Sequence, residues 1–170
     1  MANTTQAMNE AIKATTIETG KYLTFTLGSE EYGIGILKVK EIIGMMQITT
    51  VPRTPGFVKG VINLRGKVIP IIDLRLRFGM ASQAYDERTC IIVVEIDLDA
   101  EIVLVGIVVD SVSEVLNIKA EDVEDAPTFG TQLETDYILG MAKTESGVKM
   151  LLNIDKVLNR EEVAQLRSVA

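Results

Sequence analysis

From Lys21 onward the chain is cut into short β-rich runs by turn residues, and this punctuation limits the fold more than any other feature of its 170 residues. Tyr22 to Leu27 and Tyr32 to Ile36 flank Gly28-Ser29-Glu30-Glu31 and read as a hairpin. Gly60 to Asn63 and Lys67 to Ile72 meet across Leu64-Arg65-Gly66, and Cys90 to Ile96 and Ile102 to Val109 meet across the acidic turn Asp97 to Glu101. Glu114 to Ile118 reads as a further strand, and Ile138 to Lys143 with Val148 to Asn153 as a last pair. Turns recurring about every eight to twelve residues predict small barrels rather than a parallel sheet.

Between these runs the period changes. Leu37 to Ile43 places Ile36, Val39 and Ile43 on one helical face before Gly44, which predicts a short helix. Gln47 to Val51 predicts a strand, ended by Pro52-Arg53-Thr54-Pro55-Gly56. Pro70 removes a ladder donor, so Lys67 to Ile72 is expected at a sheet edge, and Asp73 is expected to cap a short helix, Leu74 to Phe78. Residues 1–20 are polar and Ala/Thr-rich and are expected to be a flexible tail. The small, polar stretch Gly79 to Asp86 is the best boundary, dividing residues 21–155 into barrels of about 21–85 and 86–155. Residues 156–170 then form a C-terminal helix.

The two halves resemble each other. Gly33, Ile34, Val39 and Glu41 match Gly106, Ile107, Val112 and Glu114 at a constant separation of 73 positions. Gly60, Gly66 and Asp73 match Gly140, Gly147 and Asp155 only with a slipped register. A duplicated barrel unit is the expected origin, and half-barrels this small need each other to bury a core.

The residue inventory removes most catalytic chemistry. There is no histidine and one cysteine, Cys90, so no Ser/His/Asp triad, Cys/His dyad or His/Cys zinc site can be assembled. A lone cysteine and no apolar leader fit the reducing cytosol. A net charge of −7 opposes nucleic-acid binding, and the longest apolar run, Ile102 to Val109, is too short to span a bilayer. Gly33-x-Gly35 lacks the third glycine of a dinucleotide loop. Asp97, Asp99 and Glu101 alternate as in a calcium loop, but Ile102 and Val108 occupy the positions that need Gly and Glu. Neither a cofactor nor a metal is expected, and the protein is not read as an enzyme.

Two local features stay open on residue chemistry alone. Arg65, in Asn63-Leu64-Arg65-Gly66, is either an exposed hairpin charge or an ordered group with a carboxylate partner at a binding surface. Phe129, in a Pro/Gly loop, either plugs the core or anchors an interface.

The stretch Phe57 to Arg75 (FVKGVINLRGKVIPIIDLR) resembles the CheW-like family of chemotaxis coupling proteins, whose GxxNLRGxxxPxxDLR pattern it carries in full. Glu31 to Ile36 and Val105 to Asp110 extend the resemblance, which runs from about Tyr22 to the C-terminus. It implies a mainly β fold of two packed five-stranded SH3-like barrels with short helices, and no catalysis. It also implies a scaffold linking the cytoplasmic tip of methyl-accepting chemoreceptors to the regulatory domain of the histidine kinase CheA. The resemblance places receptor contacts at Val39, Glu41, Arg65, Gly106, Val112 and Val115, and kinase contacts at Lys59, Val68, Thr128 and Phe129. The alternatives from other classes are a small carboxylate-dependent hydrolase and a generic ligand-binding double barrel.

Overall fold

Among the described residues eleven strands form two sheets, and each sheet takes strands from both halves of the chain. The computed structural model describes residues 19–98, 101–125 and 137–169. Most of the expected tail, the tip of the acidic turn and the loop holding Thr128 and Phe129 lie outside the described residues. The first five strands are β1 (Thr19–Leu27), β2 (Glu30–Gly35), β3 (Val39–Gly44), β4 (Val58–Leu64) and β5 (Lys67–Asp73). Then come α1 (Leu74–Arg77), β6 (Cys90–Leu98), β7 (Glu101–Val109), β8 (Ser111–Lys119), β9 (Val123–Glu124), β10 (Ile138–Thr144), β11 (Gly147–Leu152) and α2 (Arg160–Val169). The first sheet runs β8-β1-β2-β11-β10-β9 and the second β3-β6-β7-β5-β4.

Among the described residues strand alternation divides the apolar side chains among three cores. On β6, Ile91 and Val93 face the interior of the second sheet with Ile62, Ile69, Ile71 and Val108. The intervening Ile92, Val94 and Ile96 face the first sheet, where they meet Leu23, Phe25, Leu27 and Ile34. β6 and β7 are therefore buried on both faces, which explains their nearly unbroken apolar sequence. The interior of the first sheet is smaller and holds Tyr22, Ile118, Ala142 and Leu151.

The duplication is closer than the sequence comparison indicates. The pairs Val58↔Ile72 and Gly60↔Ile71 of β4 and β5 recur as Ile138↔Leu152 and Gly140↔Leu151 of β10 and β11, a constant separation of 80. The slipped match is thereby corrected: Gly66 corresponds to Ser146 and Asp73 to Asn153. Asp73 and Asn153 both cap a following helical turn through their side chains. Gly33 and Gly106 also correspond in packing. A Cβ on Gly33 would press within 3.1 Å of Leu151, and one on Gly106 would collide with Ile71, the equivalent of Leu151.

Three local expectations are corrected. Leu37 to Ile43 is not a helix: Ile36–Lys38 is one 3-10 turn, and Val39–Gly44 is a strand whose β-branched residues pair with β6. Ile36, Val39 and Ile43 satisfy helical spacing, but pairing with β6 overrides that local pattern. Gln47 to Val51 forms only the bridge Thr49↔Val61. β5 is not an edge strand but lies between β4 and β7. β7 pairs only from Ile71 onward, so the missing N–H of Pro70 falls just before that parallel ladder. The N-cap expectation holds: the Asp73 carboxylate accepts from Leu76 N at 3.3 Å. No described helix is long and apolar enough to cross a membrane.

Candidate functional site

The turn joining β4 to β5 is built to hold an arginine in place. Arg65 has φ +50 and Gly66 φ +87, the paired left-handed conformation that lets a two-residue hairpin follow the strand twist. Asn63 Oδ1 closes the turn by accepting from Gly66 N at 2.9 Å. Arg65 then donates from its terminal Nη2 to Glu41 Oε1 on β3. Glu41 is therefore on a strand, and the pair straddles the gap between β3 and β4 at the rim of the barrel. The Arg65 side chain is 71% exposed and that of Glu41 29%, so the pair sits on the surface.

Val39 and Val112 pack from the edge strands β3 and β8 onto the central core between the sheets, opposite Val94 and Phe25. Val115, three residues along β8, is half exposed. Gly106 is buried in β7, where its missing side chain makes room for Ile71 and Ile91, so it offers packing space and no contact surface. The structure thus joins Glu41 to Arg65 and sets Val39 and Val112 on one core. Ile42, which the sequence reading passed over, is exposed on β3 at the position equivalent to Val115. The 73-residue repeat carried that signal.

Val68 is exposed on β5, and its equivalent Val148 is exposed on β11. Lys59 is not beside Val68. It lies at the other end of the β4-β5 hairpin, where its ammonium sits 5.7 Å from the Tyr85 ring centre. Val68 faces Asn63, four residues along β4, or roughly 13 Å at strand rise. Thr128 and Phe129 lie outside the described residues.

A second polar cluster ties the halves together. Arg75 donates from Nε to Asp110 Oδ1 at 2.7 Å and from Nη2 to Asp110 Oδ2 at 2.5 Å, and Gly28 N donates to Oδ2 at 2.7 Å. Burial pushes the Asp110 carboxyl up, but the hydrogen bonds from Arg75 and Gly28 outweigh it and hold the group below its ordinary value. The Asp-Leu-Arg that ends the sequence motif thus supplies both a helix cap and this clamp. On the far side, Lys38 Nζ bridges Asp97 at 3.0 Å and Asp155 at 2.9 Å.

Each carboxylate at the cavity lined by Asp73, Arg75, Tyr85, Asp86 and Asp110 accepts hydrogen bonds from the surrounding fold. The space is about 20 Å³, room for one water. Asp73 accepts from Leu76 N and Tyr85 Oη, Asp110 from Arg75 and Gly28, and Asp86 from Arg88 N and Thr89. Burial, followed by the bond to Asp73, pushes the Tyr85 hydroxyl well above its usual range. Among the described residues no group of three or more Cys, Asp or Glu side chains is placed to hold a metal ion. The exposed Val68 and Val115 and the Glu41–Arg65 pair offer contact surface.

Comparison with known proteins agrees. A family model described as "CheW-like domain" matches residues 21–162. The chemotaxis protein CheW of Klebsiella aerogenes is 47% identical over 150 residues, covering 88% of each chain. CheW of Bacillus subtilis is 34% identical over 148 residues, 85% of this chain and 91% of that relative. The crystal structure of the scaffolding protein TtCheW from Thermoanaerobacter tengcongensis matches with a TM-score of 0.74 and 35% identity, over 84% of this chain and 94% of that one. These relatives carry the names of chemotaxis and scaffolding proteins and not of enzymes. With the motif, the doubled barrel and these matches in agreement, the chain belongs to the CheW-like domain family.

Proposed function

We propose that this protein is a non-catalytic chemotaxis scaffold that couples transmembrane chemoreceptors to the histidine kinase CheA in the cytoplasm, at membrane-associated receptor arrays. The observation that carries the reading is the rim of the inter-sheet core. There Val39 and Val112 present partly buried apolar surface, Val115 adds an exposed apolar side chain, and the Glu41–Arg65 pair fixes a charged landmark. An antiparallel helical receptor tip fits such a rim as a helix laid against apolar positions, with Arg65 setting its orientation. Gly106 serves this surface indirectly, by allowing β6 and β5 to close over β7.

The kinase regulatory domain is assigned to a separate surface that includes Val68, Lys59, Thr128 and Phe129. Support comes from the exposure of Val68, an apolar side chain left uncovered at a hairpin end. The direct test is calorimetry of the full chain against a CheA regulatory domain and against a receptor-tip fragment. Binding to both supports the assignment, and binding to neither removes it.

A further inference from the structure

The two barrels differ at one seam. In the second sheet the gap between β3 and β4 is sealed twice, by Ile43 and Leu64 packing on the interior and by Arg65 reaching across to Glu41. The equivalent gap in the first sheet lies between β8 and β10. Glu114 stands there for Glu41 and Leu116 for Ile43, but Thr144 replaces Leu64 and Glu145 replaces Arg65. Both parts of the seal are lost, and a glutamate stands at each of the two positions that form an ion pair in the other barrel. A cleft of about 700 Å³ opens at this place. Its floor is Leu116 and Ile118 of the barrel interior, and Glu114, Asp122 and Glu145 stand at its rim. The basic side chain that also lines it, Lys143, is held by Glu124 at 2.5 Å. No described residue forms a salt bridge with Glu114, Asp122 or Glu145.

We propose that this cleft receives an arginine side chain from a partner protein, whose guanidinium takes, between Glu114 and Glu145, the place that Arg65 fills beside Glu41 in the other barrel. The molecule itself supplies the template. The same strand position, with the same glutamate, binds a guanidinium presented by an Asn-Leu-Arg-Gly turn in one half and stands without it in the other. The apolar floor suits the aliphatic stem and neighbouring apolar residues of the incoming turn, as Leu64 does in the second sheet. The acidic rim selects a cation, and the planar guanidinium fork suits it because the equivalent glutamate of the other barrel, Glu41, already takes a guanidinium and not an ammonium. This inference is independent of which surface takes the receptor and which the kinase.

The test is an amide chemical-shift titration of the full chain with the capped peptide acetyl-Asn-Leu-Arg-Gly-Lys-amide and its analogue carrying neutral citrulline in place of arginine. Shifts confined to residues 114–118 and 143–146 are expected with the arginine peptide, at least tenfold weaker binding with citrulline, and a similar loss in Glu114→Gln. Glu145→Arg should abolish binding by filling the cleft from within, and retained amide dispersion in each variant shows that the fold survives. The proposal is overturned by any one of four results: no binding to the wild-type chain, equal binding of the citrulline peptide, undiminished binding in Glu145→Arg, or shifts elsewhere. Equal shifts on adding calcium chloride alone would also overturn it, making the cleft a site for simple cations.

Discussion

Lys149 of β11 is buried and pairs with Glu31 of β2, at the place where the other barrel has Ile69 and Leu104. One duplicated cross-strand pair is thus apolar in one half and ionic in the other. The Lys149 side chain is 3% exposed and depends on its partner, while Glu31 keeps some contact with water. Removing Glu31 alone, as Glu31→Leu, should destabilise the protein by about 3 kcal/mol, because a buried ammonium loses its counter-charge. Glu31→Leu combined with Lys149→Ile restores the pattern of the other barrel and should recover most of that loss. Urea denaturation of the two single variants and the double variant checks it, and additive losses would mean that the pair is uncoupled.

The Glu41–Arg65 pair should contribute little to stability. Its arginine is mostly exposed, so a double-mutant cycle with Glu41→Gln and Arg65→Met should give a coupling energy under about 1 kcal/mol in urea unfolding. A value near 3 kcal/mol would require a desolvated pair, which the exposure does not allow. The conformation of the turn points the same way. Arg65→Gly relieves a left-handed backbone that costs a side-chain-bearing residue about 1 kcal/mol, and this gain should offset the loss of the pair with Glu41 and leave unfolding close to unchanged.

Asp110 should shape the acid side of the stability curve. Its carboxyl is held below the ordinary value of 3.8 in the folded protein, so the unfolded chain takes up the proton first as pH falls. The stabilisation is therefore complete above that ordinary value and is lost as pH drops through the lower folded one. Asp110→Asn should cost about 2 kcal/mol near neutral pH by removing the charge from a two-pronged pair with Arg75. The variant should also lose stability less steeply on acidification. Chemical unfolding at a series of pH values from neutral into the acid range measures both effects.

Most strands were legible because their alternation survives in the sequence. Tyr22 to Leu27 and Cys90 to Ile96 announce themselves through β-branched and apolar residues bounded by turns. β3 was not, since Val39, Ile42 and Ile43 fit a helical face as well as a strand, and only β6, some fifty residues later, decides between them. The strand exchange has no local signal: β1 pairs with β8 and β3 with β6 through contacts that no short window contains. Lys149 sits at an inward position that an alternating pattern reserves for an apolar residue, and nothing near it in sequence reveals Glu31 as its partner. Of the site, the family motif marked Arg65 and the repeat marked Glu114. The correspondence of Arg65 with Glu145 lies in the strand registers, because the spacing of the glycines alone is slipped by one residue between the two hairpins.

Val115 gives the sharper functional test than Val39. Val39 packs on the central core, so Val39→Asp risks damage to the fold along with the surface. The Val115 side chain is 49% exposed and can carry a carboxylate without burying it in the free protein. Val115→Asp should therefore unfold within about 0.5 kcal/mol of the parent chain. Against an apolar helix face the same carboxylate loses water without gaining a partner, and receptor-tip binding should weaken by tenfold or more. Kinase-domain binding should persist. Val68→Asp, on β5 of the other barrel, should do the reverse, weakening the kinase domain and sparing the receptor. Calorimetry of each variant with each partner, followed by receptor-stimulated kinase activity in a reconstituted mixture, separates the two surfaces. If Val115→Asp and Val68→Asp weaken the same partner, the division of surfaces is wrong. If neither weakens any, both partners dock elsewhere.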